Sequence, residues 1–256
     1  MDIPQTVIDY LNSLDINVEV IDLSHKGLTV LPDLSRFINL KKLYCYNNQI
    51  EKLDKLPDTL EILDCSGNEI KVLDNLPNNL IELSCDHNKI QKLNNLPNKL
   101  QGLDCSNNLI QELNNLPKGL IQLYCDHNQI QKLNNLPDRL IELHCDTNKI
   151  QKLKNLSNKL EELVCSNNQI EKLYIPNELI KLYCGNNKIK QFNNIPKSLK
   201  TLYCHINPLP SFNIKILKEI DIDRRKERLV IFIIGIQENS FDNDDIFRKI
   251  GEYVLT

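Results

Sequence analysis

Residues 80–99 read LIELSCDHNKIQKLNNLPNK, and residues 120–139 read LIQLYCDHNQIQKLNNLPDR, which is almost the same string. Both contain Cys-Asp-His-Asn, four residue types that bind metals or take part in catalysis. A string that recurs in this way is either a duplicated reactive site or one unit of a repeating scaffold. The rest of the chain decides between these two interpretations.

The spacing of the cysteines gives the length of the repeat. All nine are 20 residues apart, except for an interval of 19 between Cys165 and Cys184. An asparagine follows each cysteine three positions later, and leucine or isoleucine keeps the same step elsewhere. The unit is LxxLxCxxNxIxxLxxLPxx, in about ten copies that start at Val18; the first carries Leu23 and Lys26 in the cysteine and asparagine positions. A fixed period of this length predicts a repeat architecture.

This unit resembles the leucine-rich repeat family, whose signature is LxxLxLxx(N/C)xL. Its length and its closing Leu-Pro are similar to the short class found in bacterial effector proteins, but cysteine occupies the third core position. The resemblance covers residues 18–212. It implies an α/β fold, namely a horseshoe-shaped solenoid with a parallel β-sheet on its concave face, and a concave face that binds another protein.

Elementary physical chemistry leads to the same architecture. Leu83, Ser84 and Cys85 alternate between inward and outward positions, which predicts a short strand. Because one strand cannot bury its apolar face alone, copies stack in parallel as the rungs of a solenoid. Cysteine then acts as a small hydrophobic residue, and the stacked asparagines pair with backbone groups at the turn.

The return segment of each unit predicts the convex face. Gln91 to Lys99 is too short for a helix with its loops, and Pro97 favours extended or turn backbone. We therefore expect mostly extended and turn segments on the convex face, few helices there, and gentle curvature.

Both ends of the array need caps. Residues 1–17 predict an N-terminal helical cap, with apolar residues at helical spacing: Val7, Ile8, Leu11 and Leu14. Residues 213–256 break the repeat and are interpreted as a C-terminal cap. Within them, 214–228 favours a helix, LVIFII at 229–234 fits a strand or a buried helix, and 244–254 predicts a final helix.

The last segment carries an alternative function. DDIFRKIGEYV, residues 244–254, resembles the helix of F-box-like adaptor modules. This resemblance implies a substrate adaptor that recruits ubiquitination machinery through a terminal helix.

Bulk properties narrow the class of protein. A net charge of −3 argues against a nucleic-acid binder. The start of the chain lacks the basic and apolar regions of a signal peptide, and the longest apolar run is far below the about 20 residues of a membrane span. We therefore expect a cytoplasmic monomer with reduced cysteines and without nucleic-acid or membrane partners.

The motifs of common enzymes are missing from the sequence, which contains no phosphate-binding loop, zinc-protease motif or nucleophile elbow. In the Cys-Asp-His-Asn string, Cys85 is expected to point inwards and Asp86 outwards, so the two do not converge on one zinc ion. We expect no enzyme, no cofactor and no bound metal. Asp126 and Asp146, on adjacent rungs, are the alternative site for a weakly bound hard cation.

The outward positions of the strands, with the residue after each cysteine, form the candidate partner-binding surface. Its middle is acidic and its ends are rich in tyrosine, a residue enriched at binding hot spots. We expect a partner protein with a basic middle and apolar flanks; plain solvation of these polar positions is the alternative. The candidate residues are Tyr44, Tyr46, Asp64, Glu82, Asp86, Asp104, Tyr124, Asp126, Glu142, His144, Asp146, Glu162, Tyr183 and Tyr203. Within the repeated string, Asp86, His87, Asp126 and His127 are expected to be outward-facing and free for recognition.

Overall fold

The structure, a computed structural model, describes residues 3–192, 194–209 and 230–232. Within these residues the chain forms one helix, α1 at Gln5–Ser13, and eleven strands of three residues each. The strands β1 to β11 are Val20–Asp22, Lys42–Tyr44, Ile62–Asp64, Glu82–Ser84, Gly102–Asp104, Gln122–Tyr124, Glu142–His144, Glu162–Val164, Lys181–Tyr183, Thr201–Tyr203 and Val230–Phe232.

The strands form one parallel sheet in which each strand pairs with the next one along the chain. The register places equivalent residues side by side, so that Leu103 of β5 pairs with Leu123 of β6. The central residue of each strand from β1 to β10, isoleucine in β1 and leucine in the others, is buried, and its two neighbours are partly or fully exposed. The predicted solenoid with a parallel sheet is therefore confirmed, and one unit forms one rung.

Each rung is tied to the next by more hydrogen bonds than its three strand residues suggest. The backbone N–H of Cys125 donates to the carbonyl of His144 at 2.8 Å, beyond the end of β6. Before β6 begins, the N–H of Ile121 donates to the carbonyl of Gln101 at 2.8 Å. The backbone hydrogen bonds between rungs thus extend beyond the strands to the cysteines, whose side chains are buried in the core.

Asparagine closes the turn that follows each strand. Nδ2 of Asn128 donates to the carbonyl oxygens of Cys105 and Cys125, at 3.0 and 3.2 Å, and to that of Asp126 at 3.1 Å. Its Oδ1 accepts a hydrogen bond from the N–H of Ile110 at 2.9 Å. The same pattern recurs along the row, which confirms the predicted pairing of stacked asparagines with buried backbone groups.

The convex side consists of extended and turn backbone, as the unit length predicts. In a typical rung, Asn95 adopts a left-handed conformation with φ of 54°, and the carbonyl of Pro97 accepts a hydrogen bond from the N–H of Leu100 at 3.1 Å. The left-handed position recurs in six successive rungs, at Lys55, Asn75, Asn95, Asn115, Asn135 and Asn155. The convex segment of the 19-residue unit reads Leu173-Tyr174-Ile175-Pro176 and contains no left-handed residue, so the residue it lacks is the one that adopts positive φ in the other rungs.

Helix α1 covers the first rung with Val7 and Leu11, while Ile8 lies at its exposed edge. Arg36 binds the end of this helix. Its guanidinium donates to the carbonyl of Leu11 and, at 3.2 Å, to Oδ1 of Asn12. A cation at this position also complements the negative end of the helix dipole.

At the other end, the described part of the C-terminal region is a strand. Val230–Phe232 pairs in parallel with Thr201–Tyr203, which decides between strand and helix for these three residues of LVIFII. The predicted helices at 214–228 and 244–254, the C-terminal cap and the F-box-like segment lie outside the described residues. In the part of the chain that the structure describes, no helix has the length and apolar character needed to cross a bilayer.

Candidate functional site

The sheet presents the candidate residues in three outward rows on its concave face. The first and third residues of each strand flank the buried leucine, and the residue after each cysteine makes the third row. All fourteen predicted residues occupy these rows; Glu82 is exposed and the other thirteen are half-buried against their neighbours. The sheet therefore brings them onto one surface, about 4.8 Å apart from rung to rung.

The centre of this surface, at β6 to β8, is a hydrogen-bonded cluster. The hydroxyl of Tyr124 donates to Oε2 of Glu142, to which Gln122 also donates at 3.1 Å. The ring of His144 lies 4.7 Å from that of Tyr124, and its Nε2 lies 3.6 Å from a carboxylate oxygen of Glu162. Burial and the hydrogen bond to Glu142 raise the pKa of Tyr124, so it stays a neutral donor.

Negative charge on this surface is largely uncompensated. Eight of the candidate residues are acidic: Asp64, Glu82, Asp86, Asp104, Asp126, Glu142, Asp146 and Glu162. Among the described residues, one ion pair joins this group to a lysine or arginine, namely Glu162 with Lys181 at 2.8 Å. Burial raises the pKa of Asp104 and that of Asp126, and neighbouring carboxylates add to both shifts. Carboxylates in this situation are stabilised in their charged form by any cation that approaches them.

Aromatic side chains flank the acidic centre. At one end, the rings of His25 and Tyr46 meet edge to face at 5.2 Å. At the other end, Tyr183 stacks on Tyr203 at 4.9 Å, with 9° between the ring planes. Beside this pair, His205 lies so close over Gly185 that a Cβ there would come within 2.5 Å of its ring.

The two histidines of the repeated string are exposed, as expected, but their backbone conformation was not predicted. His87 and His127 have φ of 51° and 50°, and in eight of the ten rungs from β1 to β10 the same position carries Asn, His or Gly. Asparagine and histidine tolerate this left-handed region better than most side chains, so backbone conformation restricts what this position can carry. The recurrent asparagines at this position, together with Gly67, were the sequence signal for this restriction.

The cysteine row is chemically shielded. Burial raises the pKa of Cys45 and of Cys204 to about 12, and it raises the pKa of the thiols between them as well. The Sγ of Cys125 donates to the carbonyl of His144 at 3.3 Å. Thiolates are the nucleophilic form of cysteine, so this environment disfavours reactivity.

Asp126 and Asp146, the alternative cation site, use their carboxylates within the protein. Oδ1 of Asp126 accepts the backbone N–H of Asp146, whose carboxylate in turn accepts from Thr147 and, at 3.3 Å, from Asn167. Within the described ranges, no three His, Cys, Asp or Glu residues form a group that could hold a metal ion.

Comparison with known proteins agrees with this architecture. Residues 16–58 match the family model described as leucine-rich repeats in two copies. No curated protein matches the chain. Among solved structures, YopM from Yersinia enterocolitica WA-314 is 31% identical with a TM-score of 0.71, over 76% of this chain and 48% of that one.

Two Listeria monocytogenes structures are also similar. The functional domain of InlJ, which includes a cysteine ladder, is 27% identical with a TM-score of 0.58, over 75% of this chain and 49% of that one. An internalin, InlF, shares the fold at 19% identity with a TM-score of 0.59, over 80% of this chain and 63% of that one. The chain matches about half the length of YopM and of the InlJ domain. These comparisons confirm the predicted resemblance to leucine-rich repeats.

Proposed function

Since the chain is a leucine-rich repeat solenoid, we propose that it is a non-enzymatic scaffold that binds another protein through its concave face. The uncompensated acidic centre on β3 to β8, with aromatic clusters on both sides, supports this proposal most strongly. Rigid aromatic side chains contribute contact area at little entropic cost. The burial of Asp104 and Asp126 beside further carboxylates makes this centre a favourable environment for a cation.

The chemistry of the surface restricts the partner. Seven strand spacings separate Tyr44 from Tyr183, which is about 34 Å. An extended segment of about 10 residues spans that distance. The partner therefore presents a basic segment, with lysine or arginine over the centre and apolar side chains over Tyr46 at one end and Tyr183 at the other.

The proposal places the protein in the cytoplasm. Nine buried free thiols are compatible with a reducing compartment. Their raised pKa values also favour the thiol over the thiolate, in keeping with a binding role and not a catalytic one.

Affinity purification from the native cell, followed by mass spectrometry, tests the proposal. The test variant combines Tyr124→Ala with Asp126→Lys, and we expect the partner recovered with the unmodified protein to be lost. The matched control combines Tyr174→Ala with Asp138→Lys, the same two changes at exposed positions away from the concave face. The control is expected to retain the partner. Equal recovery with both variants would overturn the concave site.

A second arm of the same experiment distinguishes the adaptor function from a scaffold that acts through its concave face. Residues 244–256 are removed, and the shortened protein is first shown to unfold at the same urea concentration as the full chain. A scaffold that acts through its concave face keeps its partner after this truncation. Loss of ubiquitination machinery alone, with the concave partner retained, would support the adaptor function.

A further inference from the structure

Some lysines on the convex face are paired with carboxylates and others are not. Lys52, Lys71 and Lys89 each form an ion pair with a nearby carboxylate. Lys152 and Lys172 are exposed, and among the described residues neither has a carboxylate within 4.0 Å. The convex face of these rungs therefore carries uncompensated positive charge. On their concave face, Glu162 is paired with Lys181, whereas among the described residues Glu142 forms no ion pair with a lysine or arginine.

The two faces repeat with nearly the same spacing. On the convex side, parallel backbone bridges join Glu112 to Lys132, Leu133 to Leu153, and Leu153 to Leu173. Such bridges hold adjacent segments at strand spacing, about 4.8 Å, which is also the spacing of the concave sheet. A convex face of this kind can therefore lie against a concave face with each rung opposite the corresponding rung, over several rungs.

The charges of the two faces match at three rungs. We define the convex row as the residue seven positions after each cysteine, and the concave row as the first residue of each strand. The convex row reads Lys52, Val72, Lys92, Glu112, Lys132, Lys152, Lys172 and Gln191. The concave row reads Lys42, Ile62, Glu82, Gly102, Gln122, Glu142, Glu162 and Lys181.

In register, lysines meet glutamates at three rungs, namely Lys92 with Glu82, Lys152 with Glu142, and Lys172 with Glu162. Apolar Val72, which is exposed, meets Ile62, and the one acidic residue of the convex row, Glu112, lies over a glycine. The one like-charge pair in this register is Lys52 with Lys42. A shift by one rung keeps only two lysine–glutamate pairings, Lys132 with Glu142 and Lys152 with Glu162. It also sets Lys172 against Lys181 and Val72 against Glu82.

From this match we propose that copies of this chain stack, with the convex row of one against the concave row of the next and in the same register. The contact joins two different faces and is therefore head-to-tail. The copy at each end of the stack keeps one unoccupied face, so the stack is open-ended. The interaction is largely between exposed charges, so salt weakens it. This inference departs from the expected monomer, and it makes stacking compete with the proposed partner for the concave face.

Sedimentation velocity over a range of protein concentrations tests the stacking. At about 50 mM salt, where the Debye length is roughly 14 Å, the weight-average mass is expected to rise with concentration above the 29.7 kDa of the monomer. At about 1 M salt, where the Debye length is about 3 Å, it is expected to return to the monomer value. A monomer at every concentration in low salt would overturn the proposal.

Charge exchange identifies the faces. The convex-reversed variant carries Lys92→Glu, Lys152→Glu and Lys172→Glu, and the concave-reversed variant carries Glu82→Lys, Glu142→Lys and Glu162→Lys. Each alone is expected to remain monomeric, and an equimolar mixture is expected to associate again. Failure of the mixture to associate, or association of either variant alone, would contradict the in-register contact.

A matched control separates this contact from a general effect of charge. Lys118→Glu, Lys159→Glu and Lys197→Glu make the same change in net charge as the convex-reversed variant, at exposed positions of the turns that precede the strands. This variant is expected to associate like the unmodified protein, and its loss of association would overturn the assigned faces. Equal urea midpoints for all variants confirm that each one is folded.

Discussion

The interior and the exterior of each rung follow different rules. Inside, the same leucine, cysteine, asparagine and isoleucine recur in almost every unit, as in Leu123 and Cys125 of β6 and its turn. Outside, equivalent positions differ from rung to rung, so that Gln122 stands where Glu142 and Glu162 follow. The interior therefore specifies the fold, and the exterior is free to differ from rung to rung.

The largest expected effect comes from an attempt to break the interior. Leu123 is fully buried at the centre of the sheet, and Leu123→Ala should destabilise the protein by about 2–5 kcal/mol through lost burial and a cavity. Its neighbour Gln122 is exposed, and Gln122→Ala should change the stability by about 0.5 kcal/mol or less. Urea unfolding measures both, and similar losses for the two variants would argue against a separation of interior from exterior.

A second comparison uses two asparagines six positions apart. Asn128→Ala removes four hydrogen bonds to backbone groups at the turn and should cost about 1–3 kcal/mol. Asn134→Ala, at an exposed convex position, should leave the urea midpoint almost unchanged. An unchanged midpoint for Asn128→Ala would defeat the structural role assigned to the asparagine row.

A smaller effect, of opposite sign, is expected where the exterior is also constrained. Ile206 has φ of 49° and an exposed side chain, in the row where Asn47, Asn107, Asn167 and Asn186 occur. A β-branched side chain is strained in this region, so Ile206→Asn should stabilise the protein by about 1 kcal/mol. Ile206→Val keeps the branching and serves as the control. The prediction fails if the two variants unfold at the same urea concentration.

Most of the scaffold could be predicted from the sequence because the same residues recur at the same places in almost every unit. A period of 20 residues, with buried types at fixed places, is consistent with few architectures, and the strand, the asparagine pairing and the helix near Val7 all follow from local rules. The positions with positive φ, such as His87, were not predicted. The shape of the turn imposes positive φ at these positions. At His87 this was missed because Cys-Asp-His-Asn suggests a metal-binding role for the histidine.

The candidate surface was predicted in outline but not in its contacts. Alternation along the strands places Tyr124, Glu142 and His144 on one face, and the structure confirms that placement. The hydrogen bond from Tyr124 to Glu142 depends on side-chain rotamers, for which the sequence contains no direct signal. The repeat also predicts that Tyr183 and Tyr203 are neighbours, but the stacking of their rings depends on side-chain rotamers.

Thiol accessibility tests most directly whether the repeated Cys-Asp-His-Asn strings are scaffold and not a reactive site. The measurement is alkylation by iodoacetamide at pH 8 without reductant, followed by mass spectrometry of the native and the urea-unfolded protein. With the pKa of Cys45 and Cys204 raised to about 12, only about one thiol in 10⁴ is ionised at either end. We predict almost no labelling of the native protein and nine labels after unfolding. Rapid labelling of Cys85 or Cys125 in the native protein, or fewer than nine labels after unfolding, would contradict the account.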